Sequence, residues 1–245
     1  SPELAPLAAL DAEAEIGIIA RFTGAPQPDL LMARIRTGAG VLHVPDNGGD
    51  LPFAAIALDA TLAEDVVRVE RLVFSPQPSP RPGASPPPVV GASGEARLKD
   101  GAWQAAANVR MSGLDIADLT HYWPPSIAPK PREWLAENLT AGMLREGAWR
   151  FEARIGADGS AAEITGLSGV ARADGVTVHW LRPIPPLQGA AGEARFSLDK
   201  IDITATSGQQ SGTGIVTDGA TVSISFATDP EITRVEAKLR GPLAD

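Results

Sequence analysis

Three histidines, His43, His121 and His179, are the side chains best suited to move a proton near neutral pH. A general base also needs a group that orients it and a reacting atom within reach. His43 and His179 fall on stretches that read as strands, not in a helical pattern where a carboxylate one turn away would hold the ring. No His-Glu-x-x-His or comparable metal spacing is present. The chain has no cysteine, which removes thiol nucleophiles, thiolate metal sites and disulfides. All three histidines are therefore expected to be structural or surface residues, with no metal and no cofactor. The acidic residues are numerous but scattered, without the dense spacing of a calcium loop. A carboxylate pair of the glycosidase kind would have to assemble in three dimensions, and nothing in the sequence nominates one. The Gly-rich SGQQSGTGIVTDG (207–219) lacks a Gly-Lys-Ser/Thr ending, and a strand-like stretch follows where a phosphate cradle needs a helix N-terminus. It reads as a hairpin connection. Asn138-Leu139-Thr140 matches a glycosylation sequon, a pattern frequent by chance.

With no chemistry nominated, the elements that carry these residues come forward. The 245 residues suffice for one large domain or two smaller ones, yet aromatics are only 5% while Gly (25) and Pro (22) abound. That composition suits short strands and turns better than an enzyme core. The net charge of -9, with no basic run, excludes a nucleic-acid partner. No apolar stretch reaches the roughly 20 residues of a membrane span. Residues 1–13 are too short and too interrupted by proline for an anchor or export signal. The Ser-Pro-Glu opening suggests a processed product or a piece of something longer.

Alternation with period two dominates the chain. Trp149, Phe151, Ala153 and Ile155 alternate with Arg150, Glu152 and Arg154. Val176, Val178 and Trp180 oppose Thr177 and His179. Val222, Ile224 and Phe226 oppose Thr221, Ser223 and Ser225, and Val235, Ala237 and Leu239 oppose charged neighbours. Upstream, Ile56, Leu58 and Ala60 oppose Ala57, Asp59 and Thr61. Such one-sided strands belong to antiparallel sheets with one wet face. Asp46-Asn47-Gly48-Gly49, Asp100-Gly101, Asp158-Gly159, Asp174-Gly175 and Asp218-Gly219 read as hairpin turns between them. One short helix is expected over 131–140, with Pro131 in its first turn, Gly142 as a stop, and Trp134, Leu135 and Leu139 near one face. Ser75–Pro88, with seven prolines in fourteen residues, reads as an extended surface linker. It divides an N-terminal β segment (1–74) from a β segment over 89–245.

A phrase recurs at a spacing of 98 residues: PPVVGASGEARL (87–98) and PPLQGAAGEARF (185–196). In each, paired prolines end an approach, Gly91 or Gly189 turns the chain, and Gly94 or Gly192 permits a bulge or close approach. Leu98 or Phe196 then returns to the apolar face while Glu and Arg share the wet side. Two copies indicate a duplicated β-unit.

The apolar face that results is either buried against a second sheet or left as a trough for something apolar. From Tyr122 onward the chain resembles AsmA-like proteins of the YhdP type. YWPPSIAPKPREWLAENLTAGMLREGAWRFEARI is similar to their Pro-rich turn, short Trp/Leu helix, glycine and strand. ITGLSGVARADGVTVHWLRPIPPLQGAAGEARFSLDKIDITATSG is similar to the stretch that follows. GAGVLHVPDNGGDLPFAAIALDATL fits more loosely. The resemblance spans about residues 35–245. It implies a mainly β fold, an elongated, curved antiparallel sheet of repeated meander units forming a hydrophobic groove. It also implies an internal periplasmic fragment of a Gram-negative protein anchored in the inner membrane. Such a fragment would carry phospholipid acyl chains between inner and outer membranes by passive burial, without catalytic residues. The expected groove-lining positions are Trp149, Phe151 and Ile155; Val176, Val178 and Trp180; Phe196, Ile201 and Ile203; and Val222, Ile224 and Phe226. A structural or assembly module that holds envelope protein partners around a closed β core is the alternative. A secreted β-rich hydrolase or carbohydrate binder is a third, weaker one, since its five Trp and single Tyr are scattered singly.

Overall fold

The computed structural model describes residues 10–24, 28–44, 49–125, 128–156, 162–180, 182–227 and 232–242. The fold is mainly β: one large antiparallel sheet, with two short helices. Its first strands are β1 (Leu10–Arg21), β2 (Leu30–Val44), β3 (Gly49–Ala63), β4 (Val66–Pro76), β5 (Val89–Lys99) and β6 (Ala102–Ser112). A short β7 (Leu114–Asp115), a 3-10 turn (Ile116–Asp118), α1 (Leu119–Tyr122) and α2 (Pro129–Asn138) follow. Then come β8 (Leu139–Gly156), β9 (Ala162–Val178), β10 (Leu187–Ser197), β11 (Lys200–Gln210), β12 (Val216–Ser225) and β13 (Ile232–Arg240). The strands pair in chain order, except that β7 leaves the path and pairs with β8. Among the described residues the path does not close, since β1 pairs only with β2 and β13 only with β12.

The chain divides into two compact units. One holds Ser1–Pro78, Pro87–Met111 and Trp149–Leu167; the other holds Ser79–Pro86, Ser112–Ala148 and Ser168–Asp245. Two of the boundaries, after Pro78 and after Pro86, fall within the proline-rich stretch. Ser75 and Pro76 still belong to β4, and β4 and β5 on either side pair with each other. The helix begins two residues before the expected 131–140 and gives way to β8 at Leu139, so Gly142 is a strand residue with φ of 118°. Leu135 is buried and Trp134 half-buried, as an inward face requires. The turn signals divide into two kinds. Asp100 and Gly101, both with positive φ, close the β5–β6 hairpin as expected, and Ser211–Ile215 connects β11 to β12. Asp174-Gly175 and Asp218-Gly219 instead lie inside β9 and β12, where the registers slip. An Asp-Gly pair serves a β-bulge as readily as a tight turn, because both use backbone angles that glycine reaches freely. Residues 46–48 and 157–161 lie outside the described residues.

The repeated phrase marks a repeated unit in the register as well. β5 and β6 begin at Val89 and Ala102; β10 and β11 begin at Leu187 and Lys200, with the same 98-residue spacing as the phrase. In the first unit Arg68 faces Glu95 and Val69 faces Gly94, then the register slips and Leu72 faces Ala92. In the second Arg172 faces Glu193 and Ala173 faces Gly192, then the register slips and Val176 faces Ala190. Both Arg–Glu pairs form salt bridges, at 3.4 and 3.0 Å. A Cβ on Gly94 would strike the carbonyl oxygen of Ala106 and lie 3.0 Å from the Cα of Ala107; one on Gly192 would strike that of Thr204 and lie 3.0 Å from the Cα of Ala205. Backbone cannot yield as a side-chain tip can, so Gly94→Ala and Gly192→Ala are each expected to cost about 2–3 kcal/mol. Gly91 turns out not to bend the chain. It is an ordinary β5 residue opposite Val73, and a Cβ there would lie 3.7 Å from the nearest atom. Gly91→Ala should therefore stay within about 0.5 kcal/mol of wild type in urea unfolding.

Candidate functional site

The longest in-register apolar stripe of the second unit runs across β9 to β13. Phe196 faces Gly169 on one side and Ile201 on the other, and Ile201 faces Ile224. One step along, Ala194 lies between Ala171 and Ile203, and Ile203 faces Val222, which faces Val235. Directly opposed residues of an antiparallel pair share a face, so these side chains form one surface. Five of the expected positions, Phe196, Ile201, Ile203, Val222 and Ile224, are brought together on it. Ile201 and Ile224 are buried, while Phe196, Ile203 and Val222 are half-buried. Among the described residues every strand belongs to the same sheet. Ala171, Ala194 and Val235 complete the face and were not anticipated, although the same alternation marks them.

Val176 and Val178 have another role. Val176 forms a core with Ile116 of the 3-10 turn and Ala190, and Val178, Leu139, Ala173 and Leu187 pack around it. These two valines thus lie under the turn and the end of α2. Trp180 and Phe226 follow the ends of β9 and β12, where the expected strand pattern has stopped. Both are half-buried. The backbone N–H of His179 donates to the Asn138 carbonyl and that of Phe226 to the Asp199 carbonyl, which carries each chain out of the ladder. Trp149, Phe151 and Ile155 lie in the first unit, half-buried on β8 between exposed Arg150, Glu152 and Arg154, as the alternation requires. That unit has its own apolar stripe, in which Ile16 faces Ile35, Ile35 faces Leu58, and Leu58 faces Leu72. Of its members, Leu58 was legible in the Ile56-Leu58-Ala60 alternation.

A polar clamp fixes the turn that covers Val176. Arg81, from the proline-rich segment, donates to both Asp118 oxygens at 2.8 and 2.9 Å and to Asp115 at 2.9 Å. Ser79 and Ser85 donate their hydroxyls to Asp118 and Asp115, and the Ser79 backbone N–H donates to the Tyr122 hydroxyl. The Arg81 hydrogen bonds hold the Asp118 carboxyl below its ordinary range, against the opposing effect of burial. No sequence signal announces this clamp, since its bonded partners lie thirty or more residues apart.

The opposite face of β9–β11 is charged and self-neutralising. A shallow depression of about 620 Å³ is bordered there by Arg145, Glu146, Arg172, Asp174, Glu193 and Arg195. Arg145 pairs with Asp174 at 2.7 Å; Arg172 pairs with Glu146 and, at 3.0 Å, with Glu193, which also takes Arg195. Glu193 and Arg195 of the repeated phrase therefore do share the wet side. With each charge matched, this surface has the character of a solvated sheet face. His43 does find an orienting carboxylate, Asp50 directly across the ladder at 2.7 Å, a contact that sequence spacing conceals. Both side chains are exposed. His179 contacts the Thr140 hydroxyl, and the rings of His121 and Tyr122 meet edge-on. Among the described residues no three His, Asp or Glu side chains are grouped to hold a metal, and no helix is long and apolar enough to cross a membrane.

Comparison with protein-family models, with curated proteins and with solved structures finds no match for this chain.

Proposed function

We propose that this chain is a periplasmic segment of an inner-membrane-anchored lipid conduit of the AsmA-like, YhdP type. Its apolar strand faces would take phospholipid acyl chains passing between inner and outer membranes. The observation that carries the reading is the apolar stripe of Phe196, Ile201 and Ile224 beside Ile203, Val222 and Val235, on a sheet whose other face is charged over β9–β11. A surface of this kind binds without directional chemistry, at about 0.8 kcal/mol per methylene removed from water. Ordering costs offset part of that gain, so the fit would be loose and tolerant of headgroup. Ile203 and Val222 would meet the chains, whereas Ile201 and Ile224, already buried, would form the floor. The periplasmic and membrane assignments rest on the sequence resemblance.

A photo-crosslinking residue at Ile203 or Val222, in the full-length protein in cells, is expected to capture phospholipid. The same residue at exposed Thr204, which points to the other face, should capture none. Equal labelling at all three positions, or protein adducts alone at Ile203 and Val222, would favour an envelope assembly module with a protein-covered face.

A further inference from the structure

We propose that an acyl chain on the second unit's stripe lies along the strands, its methyl end toward Ile116 and its headgroup at the β10–β11 hairpin. The inference rests on the lipid reading above and adds a direction to it. A row of apolar residues crosses the strands from Ala171 through Ala194, Ile203 and Val222 to Val235. An acyl chain laid across the strands would set its headgroup on those aliphatic carbons, where a charged group loses water and gains no partner. Laid along the strands, it reaches water wherever a strand end is open.

The two strand ends differ. Just past Phe196 and Ile201, β10 turns into β11 through a wet hairpin. Leu198 is 50% exposed there, the Ser197 hydroxyl donates to Asp199, and Lys200 pairs with Asp202 while both stay half-exposed. At the other end the same face runs into a wall. Ala173, two residues past Ala171, packs against a core in which Val176 and Ala190 are buried with Ile116. Leu187 carries the wall onto β11, since a Cβ on Gly208 would lie 2.7 Å from its side chain. The turn that bears Ile116 also bears Asp115 and Asp118, whose carboxylates are already bonded to Arg81, Ser85 and Ser79. A phosphate at this end would have to displace a packed turn and would then meet two carboxylates. A methyl group needs neither water nor a partner there. Between hairpin and wall, Ala205 and Ala220 face each other and carry only methyl side chains. Phe196 and Gly192 are four residues apart on β10, so this run spans roughly 13 Å at about 3.3 Å per residue.

The chain has no cysteine, so one small thiol-linked fluorophore can mark either end of the run. Leu198→Cys marks the hairpin, and Ala220→Cys, at a half-buried position, marks the row nearer the wall. The full chain would be loaded from phosphatidylethanolamine–phosphatidylglycerol vesicles containing spin-labelled phosphatidylcholine, then separated from them. A spin label at the acyl terminus should quench Ala220→Cys at least threefold more than Leu198→Cys. A label on the headgroup should reverse that order. Equal quenching at the two positions, or the opposite order, would overturn the direction and leave lipid binding standing. So would unquenched protein that still carries lipid by mass spectrometry, since the lipid would then lie elsewhere. Protein that leaves the vesicles without lipid would overturn the lipid reading and this inference together.

Discussion

Arg81→Met is expected to destabilise the second unit by about 3 kcal/mol, and Asp118→Asn by only about 1–2 kcal/mol, although the two residues share the same hydrogen bonds. The asymmetry follows from where each charge is left. The Asp118 side chain is 3% exposed, and without Arg81 its carboxylate would keep only the Ser79 hydroxyl in a site closed to water. Arg81 is 38% exposed and still reaches Asp115, so losing the Asp118 charge leaves it largely satisfied. The energy matters beyond the clamp, because Asp118 ends the turn whose Ile116 packs on Val176. Urea unfolding of both variants and of the double variant would measure this. Equal costs for the two single changes would mean that burial of the carboxylate is not what the arginine offsets.

The same pair sets an acid dependence whose sign is fixed. The Asp118 pKa is lowered in the folded protein, first by the Arg81 hydrogen bond. A lowered carboxyl contributes stability that is fully present above the unfolded value, about 4, and lost as pH falls through the folded value. Wild type should therefore lose stability more steeply than Asp118→Asn as pH drops below about 4. Above pH 5 the difference between them should be constant.

Strand faces were legible because alternation is a local property. Ile203 and Val222, or Ile56 and Leu58, declare their side within a few residues, and pairing in chain order then aligns one strand's face with the next. The duplicated unit was legible for a related reason. Gly94 and Gly192 are fixed by contact with neighbouring backbone, a constraint that admits no other side chain and so leaves its mark twice in the text. The bulges at Asp174-Gly175 and Asp218-Gly219 were not separable from turns, because the local backbone demand is the same and only the long-range register decides. The clamp and the His43–Asp50 contact were not legible at all. Each depends on residues brought together by strand pairing or by a crossover, with no periodicity to announce them. Which valines line a face and which lie beneath the Ile116 turn likewise depended on the path of the chain between β6 and β8.

A double change, Ile203→Asn with Val222→Asn, is expected to reduce phospholipid recovered with the purified protein by at least tenfold while costing little stability. Each side chain is half-buried, and the pair face each other on the stripe. Removing two aliphatic groups from a contact with acyl chains forfeits on the order of 2 kcal/mol, more than a factor of ten in binding. Asparagine in a half-wet position keeps its hydrogen bonds to water, so unfolding should shift by less than about 1.5 kcal/mol. Ile201→Asn provides the contrast. That residue is 2% exposed against fully buried Ile224, and a polar group there should cost about 3–4 kcal/mol. A closed structural core predicts a different ordering, in which Ile203 and Val222 are as costly to stability as Ile201 and lipid recovery is nil in every variant. Measuring lipid by mass spectrometry alongside urea unfolding of the same preparations separates the two. A face that serves as a conduit separates binding from folding at Ile203 and Val222, and a face that serves only as a core cannot.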